Sequence, residues 1–333
     1  MTKLDLRERS NRIKLVLAFA AVYVIWGSTY LAIKFAIETL PPLLMAGGRF
    51  LIAGAALYVW ARFKGEKNPG LINWRTGLII GALLLLGGNG MVVLAERDVP
   101  TGLAALLIAT EPLMVVLLDW ARPGGVKPGR RVALGLGLGL IGMVILIGPV
   151  GVSEGSRVAP LGAGLLILAT ISWAMGSLYA ARGKTTVSPV MSAGIQMLAG
   201  GALLSVAGLL RGEASTVALS EVSLRSAGAF VYLIVFGSLI GFTSYSWLLR
   251  VASPSLASTY AYVNPVVAVL LGWALAGETI TLRTLLAAAV IVAAVVMITT
   301  QKEKQGSGAR SQEPGFRVGE GFCKEGLKSL PDH

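Results

Sequence analysis

The sequence predicts an all-α integral membrane protein, ten transmembrane helices folded as two five-helix inverted repeats. Three observations lead there. The 333 residues are 55% hydrophobic and only 14% charged, where a soluble domain carries about a quarter charged residues. Several apolar runs reach the roughly 20 residues a helix needs to cross a bilayer, with no acidic or basic residue in them. Segments about 150 residues apart also resemble one another.

The spans are read at 14–35, 42–63, 75–95, 99–121, 130–149, 159–181, 188–210, 225–248, 253–275 and 281–300. A basic stretch from Lys3 to Lys14 precedes the first. The long apolar run after it, and the many spans that follow, favour an uncleaved helix over a signal peptide. Pro41-Pro42, Asn68-Pro69-Gly70, Pro100, Pro123-Gly124-Gly125, Pro149, Ser188-Pro189, Pro254 and Gly277 separate the spans with breaker chemistry. Residues 1–13 read as a basic cytoplasmic N-terminus, 14–149 and 159–300 as the two repeats, and 301–333 as a polar, disordered cytoplasmic tail.

Basic residues set the orientation. With the N-terminus inside, the cytoplasmic connections before the tail hold 16 Lys and Arg against 6 outside. That bias follows the positive-inside rule and puts both termini in the cytoplasm. The net charge of +12 is spread between apolar runs and forms no basic domain, so nucleic acid is not an expected partner. One cysteine, Cys323, and one histidine, His333, leave no disulfide framework, no Cys- or His-based metal site and no His base. No phosphate-binding Gly-x-x-x-x-Gly-Lys loop occurs, so transport driven by ATP on this chain is not expected. No cofactor is expected either.

The repeat rests on paired segments. Gly27-Ser28-Thr29-Tyr30 matches Gly176-Ser177-Leu178-Tyr179. Leu51-Ile52-Ala53-Gly54-Ala55 matches Leu198-Ala199-Gly200-Gly201-Ala202. Glu111-Pro112 with Trp120-Ala121 matches Asn264-Pro265 with Trp273-Ala274. Five spans per half is an odd number, so the halves enter the bilayer in opposite senses. Secondary transporters use such inverted repeats, with a site near the midplane between them.

These residues carry a resemblance. Trp26-Gly27-Ser28-Thr29-Tyr30 through Lys34, Pro41-Pro42, Arg49-Phe50, Glu111-Pro112, Asn264-Pro265 and Gly277-Glu278, in this order, resemble the drug/metabolite transporter superfamily, EamA branch. The resemblance covers about residues 14–300 and implies a ten-helix bundle that transports, often exports, amino acids, related metabolites or drugs. One departure is visible. The family's Gly-Glu after the fourth helix is Gly124-Gly125 here.

Candidate site residues follow from polarity at membrane depth, where an ionisable group is expensive unless it faces protein or water. Glu111 is expected to take up a proton or bind a substrate amine; the plainer reading is a neutral carboxyl bonded to a neighbouring helix. Asn264 is its repeat mate. Pro112 and Pro265 each free a carbonyl one turn earlier, for a site or for a packing kink. Trp26, Tyr30 and Lys34 share a helix face at spacing four. Trp26 could wall a pocket, while Thr29 and Tyr30 could hydrogen-bond a solute; Lys34, near the outer boundary, could snorkel. Arg49 could attract a carboxylate, or pair with Glu111 or a carbonyl. Asn89, Trp173, Ser177, Tyr245 and Tyr260 complete the set, each also explicable as interhelical glue. Small residues at Gly135, Gly139 and Gly142 and at Ala287, Ala288 and Ala289 suit a close helix contact, within the chain or across a homodimer.

The expectation is a secondary transporter of the bacterial inner membrane, exporting small amphipathic metabolites by alternating access. The small-molecule substrate and the lipid bilayer are its partners, and a proton is a candidate coupling ion. A membrane-embedded lipid-modifying enzyme, or a channel-like facilitator or flippase on the same fold, is the alternative.

Overall fold

A computed structural model describes residues 3–122, 129–147, 160–183, 185–252, 257 and 260–310. Its secondary structure is helical throughout. The helices are α1 (Lys3–Ala36), α2 (Pro42–Phe63), α3 (Leu71–Ala95), α4 (Thr101–Ala121), α5 (Arg130–Ile147), α6 (Pro160–Arg182), α7 (Pro189–Leu210), α8 (Leu224–Val251), α9 (Tyr260–Ala276) and α10 (Leu282–Arg310). Among the described residues seven are long and apolar enough to cross a membrane: α1 from Ile13, α2, α3, α4, α6, α7 and α8. Val263–Ala276 and Leu282–Ala294 are shorter apolar stretches.

Local chemistry explains the helix ends. Pro42 and Pro189 occupy first-turn positions, where a missing N–H costs nothing. Ser188 Oγ accepts from Met191 N at 3.1 Å, and Ser223 Oγ from Ser226 N at 3.1 Å, capping α7 and α8. Gly65 after α2 (φ +86°) and Gly212 after α7 (φ +75°) adopt the left-handed turn that only glycine enters freely.

The structure departs from the sequence reading in three ways. α4 is interrupted at Ala109–Thr110, so Glu111 opens a second half-helix instead of lying mid-helix. Pro112 has no N–H to continue the first half, and Thr110 turns back, its N–H donating to Leu107 O at 3.1 Å. α3 and α8 each widen into a π-helical stretch, Gly81–Gly90 and Leu233–Phe242. α1 begins at Lys3 and α10 runs to Arg310, past the expected limits at 14 and 300. Gln301, Lys302, Glu303 and Lys304 are good helix formers with no breaker among them, so the last helix continues. Residues 311–333, the loop at Gly124-Gly125 and part of the predicted start of α9 lie outside the described residues.

The helices pack in a definite set of pairs. α2 lies on α7 and α5 on α10; α1 contacts α9 and α8; α6 contacts α4 and α3; α3 also meets α7, and α8 meets α2. The α2–α7 contact is made of glycines. A Cβ at Gly201 would sit 2.8 Å from Leu51 N and 3.0 Å from Gly47 O. One at Gly54 would sit 3.0 Å from Gly194 O. Gly142 of α5 likewise approaches Ile291 of α10, and Ala287 is fully buried, so these small residues make a contact within the chain. Leu71, Leu210 and Leu224 are more than 80% exposed, as a lipid-facing surface requires. Trp120 and Trp273 also lie on that surface.

Because backbone meets backbone here, Gly201→Val is expected to push α2 and α7 apart. It should cost about 1–3 kcal/mol, as overpacking does, and lower the thermal unfolding midpoint of the purified protein in detergent. An unchanged midpoint would contradict the close contact.

Candidate substrate cavity and its closures

A cavity of about 70 Å³ lies where α1, α2, α3, α4, α6, α8 and α9 converge. Trp26, Thr29, Tyr30, Arg49, Asn89, Glu111, Trp173, Tyr260 and Asn264 all line it. Two sequence candidates do not. Tyr245 packs behind the wall, its ring 4.9 Å from Trp26 and 5.7 Å from Tyr260, and Ser177 Oγ lies 2.8 Å from its hydroxyl. Four aromatic rings thus form one box, since Trp173 also meets Trp26 edge-on at 5.5 Å.

Two charge-bearing side chains reach this space. Arg49 is 3% exposed, donates from Nε to Ser238 Oγ at 2.7 Å and lies 4.6 Å from the Phe50 ring. Its Nη1 has no hydrogen-bond partner among the described residues. A Cβ at Gly237 would lie 2.6 Å from Arg49 Nη2, so a side chain there would displace the guanidinium. Glu111 is fully buried at the first turn of the second half of α4, where free N–H groups and the helix dipole meet an anion. Asn264 turns its amide nitrogen to Tyr23 O at 2.8 Å and Tyr260 O at 3.3 Å. Pro265 sits inside an uninterrupted α9, so the two repeat-matched prolines act differently: Pro112 lies in the first turn of a half-helix, Pro265 within a continuous one.

Ion pairs lie toward both ends of the bundle. At one end Lys34 Nζ donates to Glu278 Oε1 at 2.8 Å. The same carboxylate accepts Thr101 N at 2.7 Å, Thr101 Oγ1 at 2.6 Å and Gly102 N at 3.1 Å. It therefore ties α1 to the start of α4 and to the α9–α10 connection. Burial alone would raise the Glu278 carboxyl. The bonds from Lys34, Thr101 and Gly102 together outweigh it and hold the group below the usual carboxylate range. At the other end Asp119 of α4 pairs with Arg182 of α6 and with Arg122. Glu213, in the α7–α8 connection, accepts Leu43 N and Leu44 N, both at 2.9 Å, and caps α2.

The ties were largely hidden in the sequence. Gly277-Glu278 entered only as a family-like pair, and Lys34 was read as snorkelling. Glu96, Asp119 and Glu213 sit at helix ends, where charges are ordinarily solvated. Thr170 and Phe242 also line the cavity without having stood out among many similar residues, and Phe50 entered only through the family-like pair Arg49-Phe50.

The EamA-like transporter family matches twice, over residues 13–148 and 160–300. The chain belongs to the EamA-like transporter family. It is 44% identical to YedA, described as an uncharacterized inner membrane transporter of Escherichia coli K12, over 79% of this chain and 83% of that one. It is 24% identical to the uncharacterized transporter YvbV of Bacillus subtilis, over 90% and 95% of the two chains. A chloroplastic WAT1-related protein of Arabidopsis thaliana is 26% identical over 80% of this chain and 64% of its own. A solved crystal structure with 22% identity superimposes with a TM-score of 0.60, covering 87% of this chain and 98% of that one, and shares the fold.

The lowered Glu278 carboxyl gives a stability prediction with a fixed sign. Its contribution is full above the ordinary glutamate range and is lost as pH falls through the lowered value. Glu278→Gln is expected to cost about 1 kcal/mol at neutral pH, after discounting for the solvent around Lys34. In thermal melts the gap between wild type and variant should close on acidification below that range. A gap independent of pH would contradict the ion pair.

Proposed function

We propose that this EamA-family protein is a secondary transporter of the bacterial inner membrane, exporting small amphipathic metabolites, amino acids or related compounds, by alternating access. It does so with ten transmembrane helices in two inverted five-helix repeats, both termini cytoplasmic. The observation that carries the reading is the cavity itself: a guanidinium and a carboxyl, buried among Trp26, Trp173 and Tyr260 where most of the helices converge. A solute with an anionic and a cationic group on an apolar body fits that chemistry, with Arg49 for the anion and Glu111 for the cation or for a coupling proton.

Several features support two related halves. Exchanging each helix for the one five places along leaves every packing pair described above in place. Gly54 and Gly201, matched in the repeat, each approach a glycine of the opposite half. Gly65 and Gly212, at the same sequence offset as that pair, make equivalent turns. The two π-helical stretches fall on the matched helices α3 and α8. Opposite ends of the bundle are then held by equivalent ties. Lys34 aligns, within a residue, with Arg182. Asp119 supplies the acidic partner that Gly124-Gly125 lacks.

The cavity also argues for movement. Its volume of about 70 Å³ holds only a couple of waters, whereas sites for small molecules measure about 300 Å³ or more. With ion pairs at both ends, this is a closed form that must open to load and unload.

Trans-stimulated exchange of a labelled solute in proteoliposomes is the expected behaviour of such a carrier, with candidate solutes taken from metabolite profiles of medium around cells with and without the protein. Flux without counterflow would make it a pore. Glu111→Gln should reduce proton-dependent flux at least about tenfold, the scale of removing one functional charge contact, while membrane insertion stays normal. Unaltered flux and pH dependence would remove Glu111 from the mechanism.

A further inference from the structure

The Lys34–Glu278 closure contains one carboxyl more than it can use. Glu96, in the turn between α3 and α4, is 3% exposed, and neither of its oxygens has a hydrogen-bond partner among the described residues. It follows Val92 by one helical turn, its own N–H donating to Val92 O at 2.9 Å, and Val92 lines the cavity. Electrostatically it is coupled to Tyr30, another cavity residue, and to both members of the ion pair. Glu96 therefore sits between the cavity and its closure.

Three groups act on it from the surrounding elements: Lys34 and Tyr30 of α1, and Glu278 of the α9–α10 connection. Arg97 and Asp98 of its own turn are exposed. On the other packed helices, Arg49 of α2 is bonded to Ser238, and Arg182 of α6 is bonded to Asp119 at the far end. So one ammonium serves two carboxyls, and the ammonium is taken. Glu278 has three further donors that keep it charged without help. A second buried anion near it would have to share that one ammonium and has no hydrogen bond among the described residues, so two such carboxyls cannot both ionise at ordinary cost.

We propose that Glu96 is a proton-binding site that latches this end of the cavity, closed when the carboxyl carries its proton and released when the proton leaves. The inference rests on the reading of the chain as an alternating-access carrier. When neutral, Glu96 leaves Lys34 to Glu278 and the tie holds. When ionised, it repels Glu278 and offers Lys34 a second partner nearer the cavity, while Thr101 and Gly102 continue to satisfy Glu278. The proton lost goes to solvent through the opening that results, and closure takes one back. Burial pushes the Glu96 carboxyl well above its ordinary range, the Glu278 charge pushes it further, and Lys34 opposes them. Release therefore belongs to pH above the ordinary carboxylate range. It is separate from the Glu278 titration, which lies on the acid side.

The test needs no substrate. Cys323→Ser removes the native thiol, and Val92→Cys places one in the cavity lining, one turn from Glu96, at a side chain 8% exposed in the closed form. In lipid nanodiscs, which expose both faces, the rate of labelling by a charged maleimide is measured between about pH 5 and pH 9, the range over which a buried glutamate titrates. Rates are normalised to a fully exposed cysteine control to remove the reagent's own pH dependence. The normalised rate is expected to rise with pH, by up to about tenfold per unit below the midpoint, and to level off above it. In Glu96→Gln it should stay low and flat. Lys34→Met, which cuts the tie, should label fast throughout. Glu96→Asp should keep the rise with a displaced midpoint, and decides the matter if the Gln variant does not insert. A wild-type pH rise that survives unchanged in Glu96→Gln or Glu96→Asp overturns the proposal. So does a flat wild-type profile. Counterflow together with either result would leave the carrier reading intact and sink only the proton site.

Discussion

In lipid, a polar group has only the protein to bond with, and most of this structure follows from that constraint. Helices satisfy their own backbones, so the polar decisions are confined to side chains and helix ends. The chain gathers them in three places: an aromatic cavity in the middle and an ionic tie toward each end. Arg49 gains Ser238 and a ring face, Glu278 gains four donors, and Glu213 takes the first free N–H groups of α2. Each connects segments far apart in sequence, so satisfying a charge also joins distant helices.

The fold was readable because membrane helices announce themselves by composition. Apolar runs and Pro/Gly breaks gave helix limits close to those of α2, α6 and α7. The exceptions have physical causes. Pro112 could be read as a kink or as a break, and only the turn at Ala109–Thr110 shows that the helix stops. The π-helical stretches leave no periodic mark in segments that are apolar on every side. The helical pieces beyond 300 depend on propensity alone, which a tail rich in Gly and Ser obscures.

The cavity was half legible. Polar and aromatic residues at mid-membrane depth are few, so Trp26, Arg49, Asn89, Glu111 and Tyr260 could be picked out without coordinates. Phe242 could not, because one apolar side chain resembles another until packing assigns it a neighbour. The ties were least visible. Glu96 stands beside Arg97 and Asp98 and reads as part of a wet turn. Its burial depends on α1 and on a connection some 180 residues later.

The glycine seam between α2 and α7 has a mechanical side. Where side chains interlock, turning one helix on another means lifting every knob from its hole. At Gly47, Gly54, Gly194 and Gly201 there are no knobs. Backbone lies against backbone along this seam, with little side-chain bulk between the two helices. A seam of this kind offers little steric resistance to one helix shifting on the other.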